Sequence, residues 1–387
     1  MSSAFDKLIK KVKDKAPTMI GDGLSSIMWA EVDSPQVTYM LGGGIPIGRI
    51  IRFRGPASAG KSAFCNYLAA ALQKEVPKLT GNPEQNKIIY VDFERTFERR
   101  YAETIGLNTN PDVFVHLKPE NIEDASEVLD DLVRTGEVAA IIWDSDGASP
   151  TRNQMIDEAG KANFGSAAKA TSEFLKKFNI LCSDRNTTIL WISQERVNMK
   201  PMSHLPSCTG GESINFYASI NCRITKIDDL KDANGIIGTQ IRVRNMKNKC
   251  SIPFREASPL NLYYNGGFNS DEEYIDFLLS LGYMTQKGAY FQFDYEGEHF
   301  SLQGRKKLMD WLTAHQDVYD KWKKEIKAKL SGYVEELDKD NYAVNEETGE
   351  ALNEADSEKA EKYAKETTAA SLAKQAAEDN DDEEEKN

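Results

Sequence analysis

Apolar residues in this chain follow two rhythms. Short, nearly uninterrupted runs rich in β-branched residues recur at 50–54, 88–92, 113–117, 138–144, 188–193 and 219–224. Runs of that length and composition predict strands buried on both faces. Between them lie stretches with helical spacing, among them 62–74, 125–134 and 167–182. Such β-α alternation predicts an α/β fold, a mostly parallel central sheet with helices on both sides. Residues 240–264 predict antiparallel strands added to that sheet. Helices are expected at 271–281 and 302–315 with a strand at 290–295 between them, as in a small α+β unit. Residues 4–16 read as a short basic amphipathic helix. Phe5, Leu8, Ile9 and Val12 share one face, and five lysines lie between positions 7 and 15. That pattern suits an ordinary surface helix and an arm packed on a neighbouring subunit equally.

Composition changes this picture in one place. The chain has 387 residues, 40% hydrophobic, with a net charge of −13. Residues 333–387 hold 19 acidic and 6 basic side chains, which is the whole of that charge. The preceding 332 residues carry 42 of each sign. A neutral body can bear a basic stripe for nucleic acid, and an acidic appendage can compete with phosphate for it. The tail is polar and poor in core-forming residues, so disorder is expected toward its end, with a frayed helix at 353–377. No run approaches the roughly 18 apolar residues of a membrane-spanning helix, and the first residues lack an apolar signal core. The five cysteines are scattered, and only four histidines are present. A disulfide scaffold, a Cys/His zinc site and a membrane protein are therefore not expected; a reducing cytoplasm is.

Candidate chemistry begins where the strand 50–54 runs into Gly55-Pro56-Ala57-Ser58-Ala59-Gly60-Lys61-Ser62 and then, through Ala63, into a helix. This is the G-x-x-x-x-G-K-[ST] phosphate loop in its strand–loop–helix setting. Glycines let backbone N–H groups turn around phosphate oxygens, Lys61 can reach the β- and γ-phosphates, and the Ser62 hydroxyl can ligate Mg²⁺. By chance the pattern arises in about one chain in a hundred of this length. The run 138–144 ends in Asp144-Ser145. A carboxylate at that strand end, beside the loop, would hold Mg²⁺ directly or through water. The run 88–92 leads into Asp92-Phe93-Glu94, where a carboxylate can polarise the attacking water or be no more than a solvated acid after a strand.

In order and spacing these motifs resemble the RecA recombinase family over about residues 25–330. Ile45-Pro46-Ile47-Gly48-Arg49 stands where that family has a Leu-Pro-Met-Gly-Arg-like segment before the phosphate loop, and Ser62 where bacterial members commonly have Thr. The resemblance implies a RecA-type P-loop ATPase core at 31–268. An N-terminal oligomerisation arm at 1–30, a small α+β domain at 269–332 and an acidic tail at 333–387 would surround it. It implies that Glu94 is the general base and that Gln194 senses the γ-phosphate. Glu98 and Tyr101 fall at the places of an adenine-contacting carboxylate and a stacking Tyr. Lys247 and Lys249 match the Lys-x-Lys that reaches a neighbouring subunit's ATP, and Phe216 a residue of the subunit interface.

Two DNA-binding loops are implied, at 153–165 and 195–211. The first would bring Phe164 to the bases, with Lys169, Ser172 and Lys176 following on one helix face toward DNA phosphates. The second would use Arg196, Val197, Met199, Lys200, Gly210 and Gly211, with Met199 favoured as the wedge between bases. Both loops depart from the bacterial sequences, as in a diverged or phage-encoded member. The activity implied is ATP- and Mg²⁺-dependent strand exchange by a helical filament on single-stranded DNA, pairing it with homologous duplex. A mediator and a single-strand-binding protein are expected partners. A ring-forming helicase and an accessory ATPase of the same fold remain as alternatives.

Overall fold

The computed structural model describes residues 27–156, 166–196, 207–208, 213–233 and 235–341. Its elements run in chain order as β1 (Trp29–Ala30), α1 (Pro35–Leu41), β2 (Ile45–Pro46), β3 (Ile50–Gly55), α2 (Lys61–Thr80), β4 (Lys87–Asp92), α3 (Arg99–Thr104), β5 (Phe114–Leu117), α4 (Ile122–Arg134) and β6 (Val138–Asp144). There follow α5 (Arg152–Ile156), α6 (Ser166–Arg185), β7 (Thr188–Arg196), β8 (Ser207–Cys208), α7 (Ser213–Tyr217), β9 (Ile220–Asp232), β10 (Gly235–Asn248), β11 (Glu256–Tyr263) and β12 (Gly267–Phe268). The series ends with α8 (Asp271–Ser280), β13 (Thr285–Lys287), β14 (Tyr290–Tyr295), β15 (Glu298–Gln303), α9 (Gly304–Ala314) and α10 (Gln316–Asn341). The chain divides into two compact units, 1–331 and 332–387.

One ten-stranded sheet organises the first unit, in the order β12-β11-β10-β9-β3-β7-β6-β4-β5, with β8 paired to β7. From β9 to β5 all pairings are parallel; β9 to β12 are joined antiparallel. This is the expected α/β architecture. Period-two alternation explains the layers. Ile51, Phe53, Ile88, Tyr90, Ala140, Ile142, Leu190 and Ile192 meet Phe64, Leu68 and Leu72 of α2 on one face. Ile50, Ile89, Val91, Ile141, Trp143, Ile189 and Trp191 meet Leu129 and Val133 of α4 and Phe174, Leu175 and Phe178 of α6 on the other. Because both faces are covered, strands at the centre of the sheet read as unbroken apolar runs. A third cluster, including Tyr274, Leu278, Phe291, Phe293, Leu308, Leu312 and Trp322, is built from α8 to α10 and the three-stranded sheet β13-β14-β15.

Several elements differ from expectation. β7 and β9 extend beyond 193 and 224, to Arg196 and Asp232. The β7 continuation is polar and that of β9 mostly so, and pairing with β8 and with β10 maintains them where apolar burial has stopped. Residues 152–156, at the start of the expected first loop, form the single-turn helix α5. The amphipathic helix expected at 4–16 and the helix expected at 353–377 lie outside the described residues. Among the described residues no helix is long and apolar enough to cross a membrane.

Candidate active site and nucleic-acid interface

The carboxyl ends of β3, β4, β6 and β7 supply the candidate site, as expected where parallel strands feed loops on one edge of a sheet. β3 ends at Gly55, where a Cβ would lie 2.1 Å from the Ile224 carbonyl oxygen of β9, so only glycine lets these backbones come so close. Gly60 closes the loop with φ +83°, and α2 begins at Lys61. The Lys61 ammonium, 6% exposed, donates to the carbonyls of Gly55 at 3.1 Å and Pro56 at 2.6 Å. It is thus held over the loop by groups that a phosphate can replace. Burial pulls its pKa down, against the raising effect of Asp144 and Glu94.

Asp144 ends β6 and is 3% exposed. It accepts from Ser62 Oγ at 2.8 Å and from the Tyr90 hydroxyl. Burial pushes its carboxyl up, against both hydrogen bonds. A hydroxyl and a carboxylate in direct contact form a hard-oxygen pair, which suits Mg²⁺ completed by water and phosphate oxygens. The residues expected to hold the metal are therefore brought together. Ala59 and Ala63 are buried beside them.

Asp92 and Glu94 part company. Asp92 accepts the backbone N–H groups of Thr96 and Phe97 and contacts His116 Nε2 at 3.0 Å, so it fixes the turn. Glu94 accepts from Ser145 Oγ and from Gln194 Nε2 at 3.3 Å. The expected base and the expected γ-phosphate sensor thus touch, and Ser145, the residue after Asp144, ties Glu94 to the end of β6.

Glu98 is the N-cap of α3, accepting the Tyr101 N–H at 2.6 Å. Its carboxylate is therefore engaged with its own helix. Tyr101 packs with Ala63, Ile105 and Leu262, and burial, with Tyr264 nearby, raises its hydroxyl's pKa. Tyr264, 45% exposed, went unnoticed in the sequence, where nothing separates it from other surface tyrosines.

Lys247 and Lys249 lie away from the phosphate loop. Lys247 Nζ donates to the carbonyls of Asn215 and, at 2.9 Å, Ala218; Lys249 Nζ donates to Phe216 O at 3.1 Å and stands 5.5 Å from the Phe216 ring. Two cations at the last carbonyls of α7 complement the end of that helix. Burial lowers the Lys247 pKa, and Lys249 adds to this. Phe216 is 71% exposed.

Of the expected DNA contacts, Lys169 and Lys176 are exposed on α6, with Ser172 half-buried between them, on the side away from Phe174 and Phe178. Lys169 has Glu173 at 3.9 Å, a solvent-exposed pair of small energetic weight. Phe164, Val197, Met199, Lys200, Gly210 and Gly211 lie outside the described residues, and of Arg196 only the backbone at the end of β7 is described.

A family model of the RecA N-terminal domain matches residues 10–269. Protein RecA of Acidothermus cellulolyticus is 31% identical over 289 residues, covering 74% of this chain and 79% of the relative. Protein RecA of Streptomyces coelicolor is also 31% identical over 289 residues, with 74% and 73% covered. Protein RecA of Nocardia farcinica gives 31%, 74% and 79%. With this match over most of its length and the phosphate-loop site at the strand ends, the chain belongs to the RecA family.

Proposed function

We propose that this protein is an ATP-dependent DNA recombinase that forms helical filaments on single-stranded DNA and pairs that strand with homologous duplex. Recombination and repair follow from its family. The same membership implies a DNA-dependent ATPase that binds ATP, DNA and copies of itself. The observation that carries the reading for this chain is the convergence of Lys61, Ser62, Glu94, Asp144 and Gln194 at one sheet edge, with Gln194 hydrogen-bonded to Glu94.

In this reading the loop amides and Lys61 bind the phosphates, and Ala57, Ser58 and Ala59 shape the cradle. Ser62 and Asp144 would hold Mg²⁺, which would supply charge neutralisation for phosphoryl transfer. Glu94 takes the proton of the attacking water as its oxygen bonds to the γ-phosphorus and the bridging oxygen departs. Gln194 donates to a γ-oxygen, and because it also touches Glu94, gain or loss of that oxygen is felt directly by the base. Glu98 and Tyr101 border the adenine, with Tyr101 the stacking partner. Lys247 and Lys249 act on the ATP of the adjoining subunit, where positive charge stabilises the transition state.

Phe164, Arg196, Val197, Met199, Lys200, Gly210 and Gly211, with Lys169, Ser172 and Lys176, hold the stretched strand by its backbone, leaving base edges free for Watson–Crick reading. The core at 31–268 carries these sites, 1–30 serves assembly, and 269–332 is an accessory domain. The protein acts in the cytoplasm of a bacterial or phage-infected cell, loaded by a mediator against a single-strand-binding protein.

Negative-stain electron microscopy with single-stranded DNA and a slowly hydrolysed ATP analogue tests this. Open helical filaments requiring both ligands are the expected result. Closed rings would move the protein to the helicases, and isolated monomers to an accessory role.

A further inference from the structure

Arg52 sits in the middle of β3, 0% exposed, in a strand that is otherwise apolar from Ile50 to Phe53. A wholly buried guanidinium is costly unless its donors are met with good geometry. Its Nε donates to Ser193 Oγ at 2.8 Å, and its Nη1 donates to Asn215 Oδ1 at 2.5 Å. Ser193 in turn donates to Asp146 Oδ2 at 2.6 Å, and Trp191 Nε1 approaches the same oxygen at 3.3 Å. Asn221 Nδ2 donates to Asn215 Oδ1 at 3.1 Å.

Each end of this chain of contacts belongs to a place already described. Asp146 lies two residues after Asp144. Ser193 immediately precedes Gln194 in β7, and strand alternation sends their side chains to opposite faces. Glu195, next along, has a side chain only 3% exposed and is gripped by Arg223 through contacts of 3.0 to 3.1 Å, with Arg54 at 3.7 Å. The tip carrying Gln194 is therefore fastened on both sides to β3 and β9. At the far end, Asn215 is in α7, whose carbonyls hold Lys247 and Lys249 and whose Phe216 is exposed.

We propose that Arg52 and Asn215 are positioning residues that join the γ-phosphate end of β7 to helix α7, so that Gln194 and the Lys247/Lys249 pair take up their working positions together. The proposal rests on the recombinase reading above for the roles of Gln194 and the two lysines. Its physical basis is one planar donor group in contact with both partners, rigid enough that neither can shift alone.

Asn215→Ala is the primary variant, because Asn215 is exposed while Arg52 is wholly buried, and its far-ultraviolet circular dichroism and thermal midpoint check that the fold survives loss of the acceptor. Asn215→Asp keeps the acceptor for Arg52 and serves as the rescue. Hydrogen exchange of the 213–217 amides, with and without a slowly hydrolysed ATP analogue, reads the link without turnover. In the wild type, nucleotide is expected to slow exchange at 55–62 and at 213–217. In Asn215→Ala only 55–62 responds, and in Asn215→Asp both respond. In steady-state assays, the DNA-stimulated kcat of Asn215→Ala should fall about tenfold or more with KM for ATP unchanged, the pattern of lost alignment with intact binding. Response of 213–217 to nucleotide in Asn215→Ala, or a full DNA-stimulated kcat, would overturn the proposal. A wild type that hydrolyses ATP without DNA stimulation would instead overturn the recombinase reading, and the exchange data would still decide the link.

Discussion

At the scale of single residues, Glu94 is the sharpest case. Two carboxylates stand two positions apart at the end of β4 and just beyond it, and sequence gives no local reason to prefer either. The structure separates them by their partners: Asp92 is consumed by the turn and His116, and Glu94 faces Ser145 and Gln194. Glu94→Gln keeps an acceptor for both neighbours and cannot take a proton. It is expected to bind ATP normally and to lose hydrolysis by about 10²- to 10⁴-fold, the usual weight of a general base. Binding of a fluorescent ATP analogue alongside phosphate release measures both; normal turnover would remove Glu94 from that role. Lys61, Ser62 and Asp144 were legible because their spacing is local and their strand context is apolar. Arg52 was not, because its partner Ser193 is 141 positions away and a single polar residue in a strand has no signature of its own. Glu98 shows the same limit, since its capping bond to Tyr101 is a matter of backbone geometry that a list of acids does not reveal.

At the scale of elements, the parallel strands were legible because burial on both faces leaves unbroken apolar runs. The outer parts of β7 and β9 were not, since a ladder partner rather than a core sustains them. α1 was missed although it carries its start signals, Ser34 as N-cap and Pro35 in the first turn. The cap also reaches another element. Ser34 Oγ accepts from Val37 N at 3.0 Å and donates to Glu273 in α8, which further accepts the Gln36 N–H at 3.3 Å. Ser270 and Tyr274 add bonds to Asp33 at 2.8 and 3.0 Å. Burial pushes the Glu273 carboxyl up to about 8. The folded chain therefore keeps a proton there that the unfolded chain releases near the ordinary carboxylate value. Stability from this group is complete below that value and is lost as pH rises through it to about 8. The slope is at most about 1.4 kcal/mol per pH unit. Glu273→Gln, which stays neutral, should lack this component. Thermal unfolding midpoints of the two proteins between pH 5 and pH 9 check it, and parallel curves would rule Glu273 out as the source.

At the scale of the whole molecule, charge is distributed by region rather than by fold. A net charge of −13 argues against nucleic acid until it is assigned to the end of the chain, and family membership then makes DNA the expected ligand. In the proposed reading Lys169 and Lys176 hold DNA phosphates, and acidic side chains on the same chain would compete with those phosphates for such cations. Removing 342–387 leaves helix Gln316–Asn341 whole and takes away 15 acidic and 5 basic side chains. Affinity for a labelled single strand should rise at low Mg²⁺, and the gain should shrink as salt shortens the Debye length from about 30 Å at 0.01 M to about 8 Å at 0.15 M. The dependence of log K on log salt should also steepen, because basic groups relieved of the tail release more counterions from the DNA. Fluorescence anisotropy over a salt series measures affinity and slope together. A higher affinity with an unchanged slope would mean that the tail hinders DNA sterically instead of by charge. Identical affinity and slope would leave the tail no part in DNA binding, as a passive linker or a partner site.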